Sequence, residues 1–426
     1  MDYLNTFTNY ERLSCYNYRK AYNLDRIKKL LLLLDSPQTK YPSIIISGTK
    51  GKGSTANLLA SILKQAGLKV GLFTSPHLVS LRERIQVSGA LISEKEFCKT
   101  LSFIKPVIKK YRLSRLTYFE VLTALCLLYF ARKGVDIAVL EVGLGGRLDA
   151  TNVTQPLLSL ITPISYDHTG LLGNTIEKIT KEKCGIIKKN SYVISGLQTK
   201  EALKVIKDTA AKKESKLLVV GKDINCKNIK VRLSGSIFDA YTPYSSYKGL
   251  SLKLVGKHQV DNALLALTAA EILKDEFDFD IDKKHISSGL KRTEIAGRFQ
   301  IISKSPYVIL DSCQNKASAE SLKNAFAATF GKKPLDILIL GASSDKDIEG
   351  IGKTLCPMAK AVIFTKANTP RATEPKVLAK EMGKYCREHY VAYDAKDALF
   401  FAKSLCAKKG TILIAGSLFL VGDILR

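Results

Sequence analysis

The sequence predicts an α/β protein with two domains, each built on a mainly parallel sheet that is covered by helices. Three observations predict this fold class. Short apolar segments of strand length alternate with longer segments of helical periodicity, the pattern of strands joined by crossover helices. The alternation loosens around residues 221–256 and resumes from about residue 300. The chain of 426 residues, 46% of them hydrophobic, is also long enough for two or three cores.

The most informative segment joins an apolar strand to a glycine-rich turn, Ile-Ile-Ile-Ser-Gly-Thr-Lys-Gly-Lys-Gly-Ser-Thr at residues 44–55. Its glycines let backbone N–H groups approach a polyphosphate, a helix begins directly after it, and Lys52 adds a mobile positive charge. Gly53 separates this lysine from the hydroxyl residues Ser54 and Thr55, so the usual Walker pattern is matched imperfectly. The segment predicts a site for a nucleoside triphosphate.

The elements of the first domain follow in order from their local patterns. The helix after the turn is predicted over Ser54–Ala66 and the next strand over Lys69–Thr74. A hydroxyl residue three positions before a glutamate, as in a capping box, predicts helices at about 94–110 and 118–133. Two apolar strands and a helix complete the pattern: Val135–Glu141, Leu157–Thr162 and a helix from about Thr175.

Polar residues stand at the ends of these predicted strands. They are Lys52, Ser75, Glu141 and His168. Ligands of parallel sheets gather outside the carboxyl ends of the strands, so we expect these side chains to converge. A carboxylate and a hydroxyl at that edge are suitable ligands for Mg²⁺ bound to a triphosphate.

The second domain is predicted after a small antiparallel β excursion at 221–256 and a helix that starts near His258. We place the boundary near residues 296–299, giving domains 1–296 and 297–426. Four strands are predicted in the second domain: Tyr307–Asp311, Asp336–Gly341, Val362–Thr365 and Thr411–Ala415. The helices between them are predicted near 317–330, 374–385 and 396–408.

Composition narrows the class of protein. The amino terminus has no basic segment followed by an apolar run, and no apolar segment approaches the ~20 residues that span a bilayer. Nine scattered cysteines suggest neither a disulfide framework nor a zinc site. These features predict a soluble, cytoplasmic protein, without a membrane partner.

The net charge of +27 invites a nucleic-acid interpretation. The lysines occur as short pairs along the whole chain, however, without a basic tail or an arginine-rich stretch with interleaved aromatic residues. We therefore expect a solvated, lysine-rich surface that steers anionic small molecules, and no nucleic-acid partner.

Taken together, the motifs resemble the folylpolyglutamate synthase/dihydrofolate synthase branch of the Mur ligase family. The resemblance rests on the phosphate loop, on Thr-Ser-Pro-His-Leu from Thr74, and on Glu-Val-Gly-Leu-Gly-Gly-Arg-Leu-Asp-Ala-Thr-Asn from Glu141. Shorter motifs extend it over nearly the whole chain. They are Asp167-His-Thr, Glu182-Lys-Cys-Gly-Ile-Ile-Lys, Gly256-Lys-His-Gln-Val-Asp-Asn-Ala, Gly297-Arg-Phe, Gly341-Ala-Ser-Ser-Asp-Lys-Asp and Gly416-Ser-Leu-Phe-Leu-Val-Gly.

The resemblance implies a P-loop-type ATP-binding domain followed by a Rossmann-like ligase domain. It implies an ATP-dependent amide ligase that converts the carboxylate of a pteroate or folate into an acyl phosphate, which the amino group of L-glutamate then attacks. ATP and two Mg²⁺ ions are the implied cofactors. Conversion to an acyl phosphate gives a poor electrophile a good leaving group, while metal neutralises the developing charge.

The resemblance also assigns residues, of which Lys52, His168 and Lys183 are the implied catalytic groups. The implied nucleotide contacts are Thr49, Lys50, Gly51, Lys52, Gly53, Ser54, Thr55, Asn262, Arg298, Asp311 and Gln314. Ser75 and Glu141 would bind the first magnesium and His168 a second. Lys183 would carry a CO₂-derived carbamate that supports the second metal. The implied substrate-side residues are Arg82, Arg84, Asp149, Ala150, Thr151 and Asn152.

One loop departs from the family pattern. The family reads Asp-Gly-Ala-His-Asn-Pro where this chain has Asp-Ser-Cys-Gln-Asn-Lys from Asp311, so that Gln314 replaces a histidine and Lys316 a proline. Glutamine can donate and accept hydrogen bonds but cannot become a cation near neutral pH. Lys316 could restore a positive charge in this loop.

We hypothesise a bifunctional enzyme that acts on both dihydropteroate and reduced folates, and we expect a monomer. The nearest alternative is a ligase restricted to one of these reactions. A ligase of cell-wall precursors from the same family is a second alternative, which the Thr-Ser-Pro-His and Leu-Asp-Ala-Thr-Asn segments disfavour. From a different class, a basic P-loop protein could bind nucleic acid and use ATP as a switch.

Overall fold

The computed structural model describes residues 2–12, 22–331 and 333–426 and divides into two compact units. Unit 1 comprises Met1–Ile229, Ile237–Leu252 and Gln259–Thr293, and unit 2 comprises Lys230–Ser236, Lys253–His258 and Glu294–Arg426. The first unit therefore contains most of the predicted first domain, while two short segments of the β excursion belong to the second unit.

The sheet of unit 1 has eight strands. They are β1 Ser43–Ser47, β2 Val70–Phe73, β3 Ile85–Val87, β4 Ala90–Leu91, β5 Ile137–Glu141, β6 Leu158–Ile161, β7 Tyr192–Ser195 and β8 Lys216–Val219. Their order is β4-β3-β2-β5-β1-β6-β7-β8. Every pairing from β2 to β8 is parallel, and β3 and β4 add an antiparallel edge. The predicted, mainly parallel sheet is confirmed.

The α-helices of this part of the chain alternate with the strands. They are α1 Asp2–Asn5, α2 Leu24–Leu33, α3 Lys52–Gln65, α4 Glu94–Lys110, α5 Tyr118–Lys133, α6 Thr169–Leu172, α7 Ile176–Cys184, α8 Lys200–Lys212, α9 Lys257–Phe277 and α10 Lys283–Arg292. Helix α5 is apolar on nearly all sides and therefore lies within the core, where every residue from Tyr118 to Phe130 except Phe119 is buried. Its predicted capping box is present: Thr117 Oγ1 accepts from the Glu120 N–H, and the Glu120 side chain accepts from the Thr117 N–H.

The β excursion forms a separate three-stranded sheet. Its strands are β9 Asn225–Arg232, β10 Gly235–Tyr241 and β11 Ser246–Leu252, in the order β11-β10-β9. Residues of β11 alternate between buried and exposed positions, as expected for a sheet with one face packed on the protein. Helix α10 packs against β11.

Unit 2 contains a six-stranded sheet. Its strands are β12 Gln300–Lys304, β13 Tyr307–Leu310, β14 Leu335–Leu340, β15 Ala359–Phe364, β16 His389–Val391 and β17 Thr411–Ala415, in the order β12-β13-β17-β14-β15-β16. Among the described residues of this sheet, only the β12–β13 pairing is antiparallel. The accompanying helices are α11 Lys316–Phe330, α12 Ile348–Leu355, α13 Pro375–Met382, α14 Ala395–Leu405 and α15 Leu418–Leu425.

The fold class is confirmed, and most predicted elements lie within a few residues of their predicted bounds. Among the elements of unit 2 that the sequence did not predict are β12, β16 and helices α12 and α15. Both strands are at sheet edges and largely exposed, so their side chains lack a continuous apolar pattern. Among the described residues, no helix has the length and apolar character that crossing a membrane requires.

Glu271 is a buried acid in the middle of α9, with 3% of its surface exposed. Its Oε1 accepts a hydrogen bond of 3.0 Å from Tyr247 Oη, and among the described residues its Oε2 has no hydrogen-bond partner. Burial is the main cause that raises the pKa of this carboxyl from 4.5 to about 7; nearby Asp275 acts in the same direction, whereas the hydrogen bond from Tyr247 and the charge of Lys283 oppose the change. The folded protein therefore holds a proton at pH values where the unfolded chain has released it.

This proton linkage predicts a pH-dependent loss of stability. The contribution of Glu271 is fully present below pH 4.5 and is lost as the pH rises through about 7. We expect Glu271→Gln, which keeps the shape without the charge, to reduce the decline of the unfolding midpoint between pH 5 and 8. Urea unfolding monitored by circular dichroism measures it. Glu320→Gln, at an exposed position of α11, is the control and should follow the wild-type pH dependence; an unchanged decline in Glu271→Gln would contradict the assignment.

Candidate active site

The glycine-rich turn forms a tight loop between β1 and α3. Gly48 and Gly51 have φ angles of +145° and +86°, which residues with a side chain rarely adopt. A Cβ atom at Gly48 would lie 1.9 Å from Thr162 Oγ1, and one at Gly51 would lie 2.2 Å from Asn262 Oδ1. The backbone N–H groups of Thr49 and Lys50 donate to one carbonyl oxygen, that of Pro163. Only glycine fits this backbone path.

The start of α3 has the chemistry of an anion site. Lys52, Gly53 and Ser54 form its first turn, where backbone N–H groups lack helical acceptors and the helix dipole favours negative charge. Gly51 precedes them and supplies no capping side chain. The hydroxyl of Thr55 is buried and has no hydrogen-bond partner among the described residues. This end of the helix is therefore suited to phosphate.

Glu141 comes to the same place at the end of β5, which lies beside β1 in the sheet. It is buried, with 5% of its surface exposed, and its Oε2 accepts a 3.0 Å hydrogen bond from the Ser75 N–H. A Cβ atom at Gly53 would lie 3.2 Å from this same oxygen. The structure thus brings together Glu141, Ser75 and Gly53. The sequence placed the first two at strand ends, and Gly53 directly follows the predicted Lys52.

The donor set fits magnesium that arrives with a nucleotide. Within residues 2–12, 22–331 and 333–426 there is no group of three or more His, Cys, Asp or Glu side chains able to hold a metal ion. One carboxylate and one hydroxyl, from Glu141 and Ser75, are hard oxygen ligands beside the phosphate loop. Mg²⁺ bound to a triphosphate completes its shell with phosphate oxygens and water, so these two residues suffice.

Lys183, near the end of α7, also reaches the phosphate loop. Only 5% of its surface is exposed, and its Nζ donates a 2.8 Å hydrogen bond to the carbonyl oxygen of Gly48. Burial and, to a smaller extent, the charge of Lys52 together lower the pKa of this amine from 10.5 to about 7. Asp167 opposes the shift. A lysine on a polar helix is thereby converted into a buried amine that is partly neutral at pH 7.

His168 lies after β6 and precedes the short helix α6. Its φ of +50° is left-handed, and its Nε2 lies 3.8 Å from Asp167 Oδ1. About a third of the side chain, 34%, is exposed. The imidazole is therefore accessible, while the adjacent carboxylate can orient it; its predicted metal role stays a prediction.

The loop Asp149–Asn152, predicted to lie on the substrate side, is buried. Asp149 accepts hydrogen bonds from the Leu144 N–H and from both the N–H and the hydroxyl of Thr151, and burial raises its pKa. The Asn152 side chain donates to the carbonyl oxygens of Arg147 and Gly185, both at 3.0 Å, and Ala150 is buried beside them. These side chains hold the loop in shape. Their contact with a substrate stays a prediction.

The two substrate-side arginines differ in their surroundings. Arg84 is buried and donates both terminal nitrogens to the carboxylate of Glu11, each at 2.7 Å, and its Nε to His77 Nδ1 at 2.9 Å. Arg82 is partly exposed, and its backbone N–H donates to Ser80 Oγ. Arg84 thus makes a bidentate ion pair, while Arg82 presents its side chain at the surface.

The remaining predicted nucleotide residues lie on helix α9 and in loops of unit 2. Asn262 is buried on α9 and donates to Gln259 Oε1. In unit 2, Asp311 accepts from the N–H groups of Phe299 and Cys313, and burial raises its pKa while Arg298 opposes the change. In the departing loop, the Gln314 N–H donates to Ser318 Oγ, and the exposed Lys316 begins α11. Their roles toward a nucleotide stay predictions.

Two residues of the site were missed at the level of sequence. Arg147 makes an ion pair with Glu182, directly before Lys183, and Thr162 abuts Gly48. Arg147 and Glu182 both lie inside motifs that carry the family resemblance, and this could have marked them as functional. Their pairing could not be predicted, because the two positions are 35 residues apart and a single sequence does not show contacts. Thr162 ends an apolar strand and carries no such signal.

Comparisons with known proteins agree with this geometry. A model of the Mur ligase middle domain matches residues 46–270, and a model described as the Mur ligase glutamate ligase domain matches residues 297–418. Dihydrofolate synthase/folylpolyglutamate synthase of Bacillus subtilis is 34% identical over 407 residues, which is 94% of both chains. The corresponding protein of Mycobacterium tuberculosis is 32% identical over 402 residues, 90% of this chain and 82% of the relative.

Solved structures give the same result. A crystal structure of folylpolyglutamate synthase from Thermotoga maritima has 36% identity and a TM-score of 0.83, and covers 99% of this chain and 94% of its own. E. coli FolC in complex with DHPP and ADP has 29% identity and a TM-score of 0.87, covering 100% of this chain and 96% of its own.

A phosphate loop with an adjacent carboxylate, on this two-part α/β fold, defines an ATP-dependent ligase of the Mur type. The extent of the similarity makes the assignment narrower. The chain belongs to the dihydrofolate synthase/folylpolyglutamate synthase branch of the Mur ligase family.

The packing of the phosphate loop predicts how nucleotide binding responds to a single methyl group. Gly51→Ala should weaken ADP binding about tenfold or more, because its Cβ must displace the Asn262 side chain as well as strain the backbone. Isothermal titration calorimetry with ADP and Mg²⁺ measures the affinity. Gly67→Ala is the matched control, since Gly67 follows the same helix with a φ of +82° but has no atom within 4 Å of the position that an added methyl group would take. Equal affinities for the two variants would argue against close packing as the cause.

Proposed function

We propose that this protein catalyses the ATP-dependent addition of L-glutamate to dihydropteroate and to reduced folates, as a bifunctional dihydrofolate synthase/folylpolyglutamate synthase. The observation that carries the proposal is the placement of Glu141 Oε2 against Gly53 and the Ser75 N–H, which puts a carboxylate beside a phosphate loop. The names of the relatives from Bacillus subtilis and Mycobacterium tuberculosis, which cover nearly the whole chain, support both activities.

The reaction proceeds by activation of the acceptor carboxylate. An oxygen of that carboxylate attacks the terminal phosphorus of ATP, and ADP leaves. The glutamate nitrogen then attacks the acyl carbon, phosphate departs and the nitrogen loses a proton. In this scheme the N–H groups at the start of α3 bind the β- and γ-phosphates, and Lys52 stabilises the negative charge of the phosphoryl group during transfer. Both are groups that the fold holds in place before the reaction, so the stabilisation is electrostatic and preorganised.

Ser75 and Glu141 would hold a first Mg²⁺, and His168 would contribute to a second. A bound magnesium ion neutralises phosphate charge and orients the phosphoryl group for in-line transfer. Neutral imidazole can ligate a metal through an exposed nitrogen, and the His168 side chain is accessible with Asp167 beside it.

Lys183 is the proposed carbamate. The reaction with CO₂ requires the neutral amine, which at an ordinary lysine pKa would be under about 0.1% of the population at pH 7. Burial lowers the pKa of Lys183 to about 7, so roughly half of the amine is neutral at that pH. Its hydrogen bond to Gly48 O places it at the phosphate loop, where a carboxylate would face bound metal.

The other parts of the proposal concern substrate contacts and organisation. Asn262, Arg298, Asp311 and Gln314 are proposed to contact the nucleotide, while Arg82, Arg84 and Asp149–Asn152 are proposed to border the pterin site. We propose ATP-binding and ligase domains of residues 1–296 and 297–426. We further propose a cytoplasmic monomer that acts on small molecules, without nucleic-acid or membrane partners.

One prediction of the proposed function concerns the reaction itself. With ATP, Mg²⁺ and L-glutamate, the protein should release phosphate and form glutamylated product from dihydropteroate and, separately, from tetrahydrofolate. Coupled phosphate detection and product mass measure it. Activity with one pterin alone would establish the restricted ligase, and activity with neither would refute the substrate assignment. Salt-sensitive binding of RNA or DNA would instead favour the nucleic-acid alternative.

Another prediction of the proposed function concerns Lys183. Lys183→Ala should reduce turnover by on the order of 10–100-fold, because a charge that supports metal is lost, and short carboxylates such as acetate should restore part of the activity. Steady-state phosphate release measures both effects. Lys181→Ala is the matched control, an exposed lysine two residues away on the same helix, and should retain wild-type turnover. Full activity of Lys183→Ala would remove the carbamate from the mechanism.

A further inference from the structure

Arg147 ties the loop that follows Glu141 to the end of the helix that carries Lys183. Its Nη2 and Nε donate to Glu182 Oε1 at 2.8 and 3.1 Å, and its backbone N–H donates to the Glu182 carbonyl oxygen at 2.8 Å. Both the side chain and the main chain of Arg147 are therefore bound to the residue directly before Lys183. The two segments are joined at three points.

Glycines on both sides bring the two backbones into contact. A Cβ atom at Gly146 would lie 2.6 Å from the carbonyl oxygen of Lys183, and one at Gly185 would lie 2.3 Å from the Cβ of Arg147. Neither loop nor helix end can shift toward the other, and the hydrogen bonds of Arg147 resist separation. The backbone of Lys183 is thus fixed from one side.

The tip of the Lys183 side chain is fixed from the other side, since its Nζ donates to Gly48 O at 2.8 Å. A lysine side chain has four rotatable bonds, so its amine reaches a chosen point reproducibly when the backbone that carries it is held. Loosening the helix end would let the amine leave the phosphate loop, and with it the buried environment that favours the neutral form.

We propose that Arg147 is a positioning residue, whose ion pair with Glu182 holds Lys183 where its amine meets the phosphate loop. The inference rests on the proposed function for what the amine then does. In that step the Lys183 nitrogen forms a bond to the carbon of CO₂, one C=O bond pair moves to oxygen, and a proton passes from nitrogen to water. Arg147 takes no part in the bond changes.

A purely stabilising role for this ion pair is the competing explanation. The side chains are 51% and 19% exposed, and partly exposed ion pairs contribute little to global stability. A test must therefore separate the position of Lys183 from the stability of the fold. Formation of the carbamate reports on the position of Lys183 directly, because the Lys183 amine is the group that reacts with CO₂. Thermal stability is measured separately.

The experiment incubates wild type, Arg147→Ala, Arg147→Lys and Glu182→Gln with ¹³C-bicarbonate at increasing concentration and records the carbamate carbon by NMR. Turnover and thermal midpoint are measured on the same samples. We expect Arg147→Ala and Glu182→Gln to need about tenfold more bicarbonate for half-maximal signal, with a parallel fall in turnover and a midpoint close to wild type. Arg147→Lys, which keeps a charge but not the fork of donors, should recover part of the loss.

Glu214→Ala is the control, since it removes an exposed ion pair with Lys189 in the same unit, and should match wild type in all three measurements. A wild-type bicarbonate dependence in Arg147→Ala would overturn the positioning role while leaving the proposed function intact. A wild-type protein that forms glutamylated product without any carbamate signal would overturn the role of Lys183 and the positioning role together. If Arg147→Ala does not fold, Arg147→Lys and Glu182→Gln decide the question by the same criterion.

Discussion

Close approach of the phosphate-loop backbone to the residues that end the neighbouring strands is the constraint on which the rest of the site depends. Strand β1 lies between β5 and β6, so the loop that leaves it is flanked by the ends of both neighbours. Gly48 touches Thr162 after β6, and Gly53 faces Glu141 at the end of β5. A side chain at either glycine would push the loop away from these residues. The parallel pairing of β1 and β5 therefore places the Glu141 carboxylate next to the loop. The glycines leave room for it.

The same closeness explains the chemistry of Lys183. An ammonium group is strongly hydrated, and removing it from water favours the neutral amine unless a carboxylate compensates. The hydrogen bond that the structure gives its Nζ is to the carbonyl oxygen of Gly48, which is a weaker partner than a carboxylate. The positive charge of Lys52 acts in the same direction. Burial and like charge together lower the pKa of an amine that is ordinarily protonated.

The sequence was sufficient for the four middle strands of the first sheet, β2, β5, β1 and β6, and for the phosphate loop, because both depend on local signals; it did not predict the outer strands β3, β4, β7 and β8. Buried parallel strands such as Ile137–Glu141 are continuous apolar runs, and the capping box at Thr117 marks a helix start. Short edge strands such as β16 give no periodic signal, and a contact such as Arg147 with Glu182 depends on tertiary packing. The burial of Asp149–Asn152 was likewise not predictable, since polar residues after a glycine-rich loop ordinarily suggest exposure.

The burial of that loop gives Asp149 a structural role. Asp149 accepts hydrogen bonds from Leu144 and Thr151 and thereby stabilises the loop after Glu141. The strand-end carboxylate that lies against the phosphate loop is that of Glu141. A single carboxylate and a hydroxyl hold a divalent cation weakly by themselves, because Mg²⁺ prefers six oxygen ligands. The magnesium site that we propose has few protein ligands, so it would favour the metal–nucleotide complex over the free ion. Metal and ATP would then enter together, and the acyl-phosphate step would begin from a phosphoryl group whose charge is already neutralised.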